Sequence, residues 1–273
     1  MKLYFNPQTA KQLDQLANKL PQAILLTGEE GVGLLTAAKH LANNQPAGII
    51  EPRDKTDAVN HNSGTISVKR IRELYSEASS KSLTQRIFII DDADKMSTGA
   101  QNAFLKLLEE PVASTHFILT SHQPNLLLAT IKSRVEQLIV QPITAEQSQD
   151  MAFQLKLKGS KVAQALFVAT GKPAELARLA ADQDYFESTA GMMTAAKAFI
   201  GSSKSDAVEV AFKYAGDRDM TLKLLVASKK ILAHTIKRQV DPELLAKLSK
   251  LNAAYDAIAA NGNVKLQLVT VLL

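Results

Sequence analysis

Short apolar runs alternate with longer amphipathic stretches over the first half of the chain. Five nearly continuous apolar runs predict buried parallel strands, because a parallel sheet is covered on both faces. The runs are Ala23–Leu26, Gly48–Ile50, Ile87–Ile90, His116–Leu119 and Gln137–Val140. Stretches with helical periodicity lie between them. Strands that alternate with helices predict an α/β domain with a five-stranded parallel sheet.

Two of these helical stretches show a clear apolar face that is expected to join the core. The first face comprises Val68, Ile71, Leu74, Tyr75 and Ala78, and the second comprises Ala100, Ala103, Phe104, Leu107 and Leu108. Thr98 together with Gln101 suggests a capping box at the start of the second helix. Pro111 is expected to end that helix, because proline cannot continue a helical ladder.

The pattern changes near Gln141 and Pro142, after which no strand is predicted. Thr144 is expected to cap a helix that follows a short linker. Glycine, proline and capping residues then separate helical stretches at 171–173, 201–203, 216–217, 241–242 and 261–262. We therefore expect an α/β domain over residues 1–142, a small helical domain over 143–182 and a helical domain over 183–273.

Composition excludes several classes of protein. The 273 residues include no cysteine, which rules out disulfides and cysteine-based zinc sites, and the five histidines form no ligand-spaced pair. We expect no bound metal. No apolar run approaches the length of a membrane span and no signal-peptide core is visible, so a cytoplasmic protein without membrane contact is expected. The net charge of +5 permits a nucleic-acid partner without arguing strongly for one.

A degenerate phosphate loop follows the first predicted strand. Gly28 and Gly33 keep the spacing of a nucleotide-binding loop, with Gly31 between them, but Leu34 replaces the lysine that contacts the β/γ-phosphates. Leu35 replaces the hydroxyl residue that binds Mg²⁺. We therefore expect no functional nucleotide cofactor. The alternative is that these residues form only a glycine-rich turn between a strand and a helix.

A second motif is an acidic pair at the end of a predicted strand. Asp91 and Asp92 follow Ile87–Ile90, in the position where P-loop ATPases place a magnesium-binding aspartate and a water-activating glutamate. Asp92 is one methylene shorter than that glutamate. A solvated acidic turn is the simpler alternative. Together with the degenerate loop, the pair indicates the architecture of a P-loop ATPase without its activity.

Three ordered segments carry a resemblance to a known family. They are Asn-Ala-Phe-Leu-Lys-Leu-Leu-Glu-Glu-Pro at 102–111, a strand at 115–121 and Thr-Ile-Lys-Ser-Arg at 130–134. This set closely resembles the small subunits of bacterial clamp loaders, which are AAA+ proteins, over about residues 20–140. The resemblance implies an AAA+ domain, a helical lid and a helical collar domain. It also implies partners: the gamma and tau motor subunits, a delta subunit, primed DNA and, indirectly, the sliding clamp.

The resemblance also assigns residues. Arg134 matches the arginine finger that reaches the ATP bound by a neighbouring subunit, and an ordinary surface arginine is the alternative. Residues of a helix that lines the DNA channel in similar proteins correspond to Ser67, Lys69, Arg70 and Arg72, which could equally form a solvated helix face. The implied function is a subunit that helps to load the sliding clamp without hydrolysing ATP itself.

The chain departs from the family pattern in three places. Residues 43–57 contain none of the four cysteines of the usual zinc module. Val135 replaces the cysteine that follows the finger arginine, and Ala174 stands where a second nucleotide-sensing arginine is expected. Two other functions stay open: an active ATPase with an unorthodox loop, and a DNA-binding AAA+-like protein that acts alone.

Overall fold

A parallel five-stranded sheet forms the centre of the first half of the chain. The structure is a computed structural model that describes residues 2–79, 84–110, 114–201, 203–239 and 241–272. The strands are β1 (Ala23–Thr27), β2 (Gly48–Ile50), β3 (Arg86–Ile90), β4 (Thr115–Ser121) and β5 (Glu136–Ile139). They pair in the order β2-β3-β4-β1-β5, and every pairing is parallel. The predicted five-stranded parallel sheet is therefore confirmed.

Helices cover both faces of this sheet. The first part of the chain contributes α1 (Pro7–Asn18), α2 (Leu34–Leu41), α3 (Val68–Ser79), α4 (Thr98–Glu109) and α5 (Ala129–Lys132). One apolar core lies between the sheet and α3 and α4, and a second lies on the opposite face with α2. Successive strand residues face the two cores in turn: Leu25 faces the first, whereas Ile24 and Leu26 face the second.

Two local predictions about the helices are wrong. Tyr75 was expected in the buried face of α3, but it is 40% exposed, because Ile71 and Leu74 already fill that face. The cap of α4 is Ser97 rather than Thr98: the Ser97 side chain accepts a hydrogen bond from the Ala100 backbone amide. Gln101 is buried and bonds to other backbone groups instead of closing a capping box. Pro111, the predicted end of α4, lies outside the described residues.

Only helices follow β5 among the described residues. They are α6 (Ala145–Gln154), α7 (Ser160–Ala169), α8 (Pro173–Ala181), α9 (Gln183–Ile200), α10 (Lys204–Tyr214), α11 (Arg218–Ile236), α12 (Pro242–Ala259) and α13 (Val264–Leu272). Thr144 caps α6 through a full capping box with Gln147, as the sequence predicts for Thr144. Proline at the start of α8 and α12 agrees with the predicted helix breaks.

The chain divides into two compact units, Met1–Ala181 and Asp182–Leu273. The first unit contains the sheet and helices α1 to α8. The second has its own core between α9, α10, α11, α12 and α13, with Phe199, Leu224 and Leu251 fully buried. The predicted separation of residues 143–182 as a domain of its own stays a prediction. No helix in the described ranges combines the length and apolar character that a bilayer crossing requires.

Candidate functional site

The glycine-rich loop between β1 and α2 has the backbone of a phosphate loop. Gly33 caps α2 with φ +91° and Gly31 has φ +87°, conformations that favour glycine. A Cβ atom on Gly28 would lie 2.8 Å from the Val140 carbonyl oxygen and 2.9 Å from a Val32 methyl group. Glycine is therefore required at Gly28 for close approach and at Gly31 and Gly33 for their dihedral angles.

The side chains of this loop cannot supply phosphate contacts. Leu34, at the lysine position, is 3% exposed and packs in the core with Val32 and Ala38. Leu35, at the position of the Mg²⁺-binding hydroxyl, packs against the same core. Thr36 carries a hydroxyl one residue later and is exposed. The two positions that would hold a cation and a metal ligand therefore serve the core.

The N-terminal end of α8 lies against the loop. The Ala174 backbone amide donates a hydrogen bond to the Gly31 carbonyl oxygen at 3.0 Å. The Lys172 ammonium lies 3.3 Å from the Glu29 carboxylate. On the other side, His122 Nδ1 is 2.9 Å from the Gly28 carbonyl oxygen, so this ring nitrogen carries the hydrogen. The loop is thus held by the chain itself at several points.

A small cavity of about 70 Å³ lies beside Gly33. Its lining includes Tyr4 and Phe5 from the N-terminal segment, Met151 from α6 and Ala174 from α8. Pockets that bury a drug-sized ligand usually measure roughly 300–1,000 Å³. The cavity is therefore far smaller than a site that encloses a nucleotide.

The acidic pair Asp91 and Asp92 stands at the carboxyl edge of the sheet, beside the end of β4. Thr120 Oγ1 donates a hydrogen bond to Asp91 Oδ1 at 2.6 Å and accepts one from the Asp92 backbone amide at 2.9 Å. Both aspartates are buried, with 6% and 7% of their surface exposed. Asp92 has a left-handed backbone with φ 50°. The two carboxylates are therefore fixed side by side.

Two neighbouring side chains bind Asp92. Lys95 Nζ lies 2.8 Å from Asp92 Oδ2, and His61 Nδ1 lies 2.9 Å from the same oxygen. Lys95 also donates to the His61 carbonyl oxygen. His61 comes from the segment between β2 and α3, for which the sequence pattern predicts neither a helix nor a strand. The chain thus places its own lysine and histidine against a carboxylate that a metal nucleotide would otherwise approach.

These contacts separate the acidities of the two aspartates. Burial raises the pKa of Asp91 above its ordinary value, and the hydrogen bond from Thr120 offsets this only in part. Burial also acts to raise the pKa of Asp92, but Lys95 and His61 outweigh it and hold that pKa below its usual value. Asp92 is therefore the carboxylate that the fold keeps ionised.

One group of described side chains has the geometry to hold a metal ion. Single ligand atoms of Glu51, His61 and Asp91 lie within 4.8 Å of one another. Glu51 Oε1 is 3.8 Å from His61 Nε2. The Lys95 ammonium on Asp92 places a positive charge in the same cluster, which opposes the binding of a cation. The prediction of no metal therefore stays a prediction, with these three residues as the place to test it.

Arg134 is exposed beyond the end of the short helix α5. Its Nη1 donates to the Thr130 carbonyl oxygen at 3.1 Å, and its Nη2 lies 3.0 Å from Glu109 Oε1 at the end of α4. Val135, which follows Arg134, is buried in the core beneath α4 and α5. The backbone is therefore anchored while the guanidinium faces outward.

The predicted DNA-contacting residues lie at the start of α3. Ser67, Lys69 and Arg72 are exposed, whereas Arg70 is half-buried. Glu73 lies 2.8 Å from Arg70 Nη1 and 3.9 Å from Lys69 Nζ. The same helix therefore partly neutralises two of the three cations, and their role in DNA binding stays a prediction.

Several residues of the site were not predicted from the sequence. Thr120 carried a readable signal, because it follows the predicted strand His116–Leu119 just as Asp91 follows the predicted strand Ile87–Ile90, and both were predicted to lie in one sheet. His61, His122 and Lys172 carried none, since each reaches the site from a separate segment. Glu109 lies in the motif at 102–111 but was not paired with Arg134.

Similar folds occur among solved structures. A DNA polymerase III gamma subunit-related protein from Thermotoga maritima superposes with a TM-score of 0.58 at 19% identity, over 97% of each chain. A RuvB mutant from Thermotoga maritima gives a TM-score of 0.50 at 14% identity, over 94% of this chain and 88% of the other. The sheet, the loop and the strand-end carboxylates together define the fold class, which is an AAA+-type P-loop fold.

The sequence comparisons find similar proteins of one kind. The family model described as "DNA polymerase III, delta subunit" matches residues 49–144. The DNA polymerase III subunit delta' of Bacillus subtilis is 30% identical over 191 residues, 63% of this chain and 58% of the relative. The subunit tau of the same organism is 31% identical over 150 residues, 48% of this chain and 26% of the relative. The chain is thus similar to delta' and tau subunits of DNA polymerase III over the matched residues, and it spans less than two thirds of the length of these relatives.

Proposed function

We propose that this chain is a non-catalytic clamp-loader subunit. It assembles with gamma or tau motor subunits and a delta subunit, and the assembly loads the sliding clamp onto primed DNA in the cytoplasm. Its own part in ATP hydrolysis is to present Arg134 to the ATP bound by a neighbouring subunit. Within the family, its degenerate loop fits the delta-prime kind rather than a motor.

The observation that carries this proposal is a contrast within one domain. The position of the phosphate-binding lysine is occupied by a leucine that is 3% exposed, whereas Arg134 is exposed on an anchored backbone. A subunit that binds no ATP still has a use for a finger arginine, because that residue acts at a neighbour's site. A guanidinium that stabilises transition-state charge contributes about 10³–10⁵ in rate at the site that it reaches.

The test is Arg134→Ala in the assembled complex. We expect normal folding and assembly, with a lower DNA- and clamp-stimulated ATPase and slower clamp loading. The total ATPase falls only in part, because other sites keep their own fingers. Arg134→Lys should rescue incompletely, since lysine lacks the planar fork that matches phosphate oxygens. Lys132→Ala, two residues away, is the control for the loss of a nearby positive charge.

The results separate this proposal from the two alternatives. Wild-type ATPase and clamp loading in an Arg134→Ala complex that assembles normally would refute the finger role. ATP hydrolysis by the isolated chain would favour an active ATPase, which the buried Leu34 argues against. Tight DNA binding without co-purifying motor subunits would favour a protein that acts alone. Co-purification of one defined complex supports the clamp-loader role.

A further inference from the structure

We infer that Glu109 is a positioning residue for Arg134. This inference rests on the proposed finger role. The Glu109 carboxylate lies 3.0 Å from Arg134 Nη2, while the Thr130 carbonyl oxygen accepts from Nη1 at 3.1 Å. The guanidinium is thus held at both terminal nitrogens, by two different helices. A guanidinium has five N–H donors, so these contacts leave donors for the phosphate oxygens of a neighbour.

Both partners are mounted on rigid backbone. Leu108 precedes Glu109 and Val135 follows Arg134, and these two apolar residues are buried in the same core. The ends of α4 and α5 are therefore fixed relative to each other. A charged side chain held by such a frame needs less reorganisation when a transition state forms, which is how pre-organised donors accelerate reactions.

The strength of the contact suits a positioning role. The Arg134 and Glu109 side chains are 37% and 51% exposed, so water screens the pair. Exposed ion pairs are weak enough that a guanidinium can turn toward a more highly charged triphosphate without a large penalty. Glu109 therefore orients the guanidinium before the neighbour arrives and does not prevent its use.

The experiment is Glu109→Gln in the assembled clamp loader, with the adjacent Glu110→Gln as the matched control. We expect Glu109→Gln to reduce kcat by ~1.5- to 5-fold at the site served by Arg134, the range typical of losing an exposed ion pair. The contribution of that site to the total rate is measured as the part of the stimulated ATPase that Arg134→Ala removes. The KM for ATP should not change, because orientation acts on the transition state. Glu110→Gln should match wild type.

A double-mutant cycle decides whether Glu109 acts through Arg134. In an Arg134→Ala complex, Glu109→Gln should have no further effect. An equal loss in both backgrounds would overturn the inference, and so would a wild-type or increased kcat for Glu109→Gln. In each of those cases, a lower stimulated ATPase for Arg134→Ala alone would still support the proposed function. If Arg134→Ala itself leaves the stimulated ATPase and clamp loading unchanged, both the inference and the proposed function are refuted. Co-purification and thermal melting verify that every variant assembles and folds.

Discussion

Leu34 occupies the lysine position of a loop whose backbone is otherwise that of a phosphate loop. The loop keeps the glycines that its dihedral angles and close contacts require, and α2 begins where a nucleotide-binding helix would. The lysine position has instead been taken into the core, with 3% of the leucine exposed. Burial of this side chain stabilises the fold and removes the phosphate contact at the same time.

We predict that the isolated chain binds ATP–Mg²⁺ negligibly. Leu34 and Leu35 offer neither a positive charge nor a metal ligand, and Ala174 adds no arginine. Calorimetry at millimolar nucleotide should give no fitted isotherm, and a dissociation constant in the low micromolar range would contradict the prediction. Leu34→Lys is the control: it should not create an ATPase, because Leu35, Ala174 and the acidic residues Glu29 and Glu30 remain.

The adjacent aspartates should respond to neutralisation with opposite signs. The folded-state pKa of Asp92 is lowered, so its carboxylate contributes stability above its unfolded pKa, and this is lost as pH falls through the folded value. The folded-state pKa of Asp91 is raised, so its ionisation costs stability as pH rises through that value. At pH 7, Asp92→Asn should therefore lower the melting temperature and Asp91→Asn should raise it.

Urea unfolding between pH 3 and 7 checks both variants. Each acts as the control for the other, because both remove one negative charge at neighbouring positions. Asparagine at position 91 keeps an oxygen that accepts from Thr120, and asparagine tolerates the left-handed backbone at position 92. Shifts of the same sign in the two variants at pH 7 would show that net charge, rather than the local contacts of each carboxylate, controls stability here.

At the scale of elements, apolar patterning was enough to find the sheet. All five predicted strands agree with the observed ones to within two residues at either end. A covered parallel sheet requires continuous apolar runs, and β1, β3 and β4 are mostly buried, whereas three of the four residues of the edge strand β5 are exposed. The helix breaks after residue 170 were equally readable from glycine and proline. Helix α1 went unpredicted, although Asn6 before Pro7 is a legible start signal and Asn6 does cap the helix.

Contacts between distant segments were beyond the sequence pattern. The Thr98–Gln101 spacing predicts a capping box, but the Gln101 side chain binds other backbone groups. Its Nε2 donates to the Met96 and Leu126 carbonyl oxygens, and its Oε1 accepts from the Leu128 amide. His61 likewise reaches Asp92 from a segment with no periodicity. Such pairings depend on where the chain returns in space, which local periodicity does not encode.

Gln101 should therefore be a sensitive position in α4. Gln101→Met preserves the approximate volume but leaves two carbonyl oxygens and one amide without their partner. Leaving a buried polar group unsatisfied costs about 1–3 kcal/mol, so we expect a loss of roughly 2–4 kcal/mol in the free energy of unfolding, measured in urea. Asn102→Met, at the exposed neighbouring position, is the control. Equal stability of the two variants would mean that the Gln101 contacts are not formed.

Gln101 also links the core to the segment that precedes Arg134. Its contacts at Leu126 and Leu128 fix the segment that enters α5, and Arg134 follows that helix. The buried Gln101 side chain in α4 thus holds the backbone segment that leads to the exposed Arg134 guanidinium. The same helix α4 ends at Glu109, so one element supports Arg134 from both its beginning and its end.

In the molecule as a whole, the chain forms two compact units, each with a core of its own. The unit Met1–Ala181 contains the sheet, the degenerate loop and Arg134, and the unit Asp182–Leu273 has a separate helical core. At the edge of that second core, partial burial lowers the pKa of the half-buried Lys247 ammonium, which donates to the Ile200 carbonyl oxygen at 2.7 Å. Each unit has the buried core that an independently stable domain needs.

The purified protein should contain no stoichiometric metal. The chain contains no cysteine, and among the described residues only Glu51, His61 and Asp91 are arranged to ligate a cation. Lys95, bound to Asp92 at 2.8 Å, supplies positive charge there already. We expect zinc well below one per chain on metal analysis of purified protein, and no change in melting temperature on chelation. Stoichiometric zinc that His61→Ala removes would contradict this and would identify the ligands, because that change leaves both carboxylates in place.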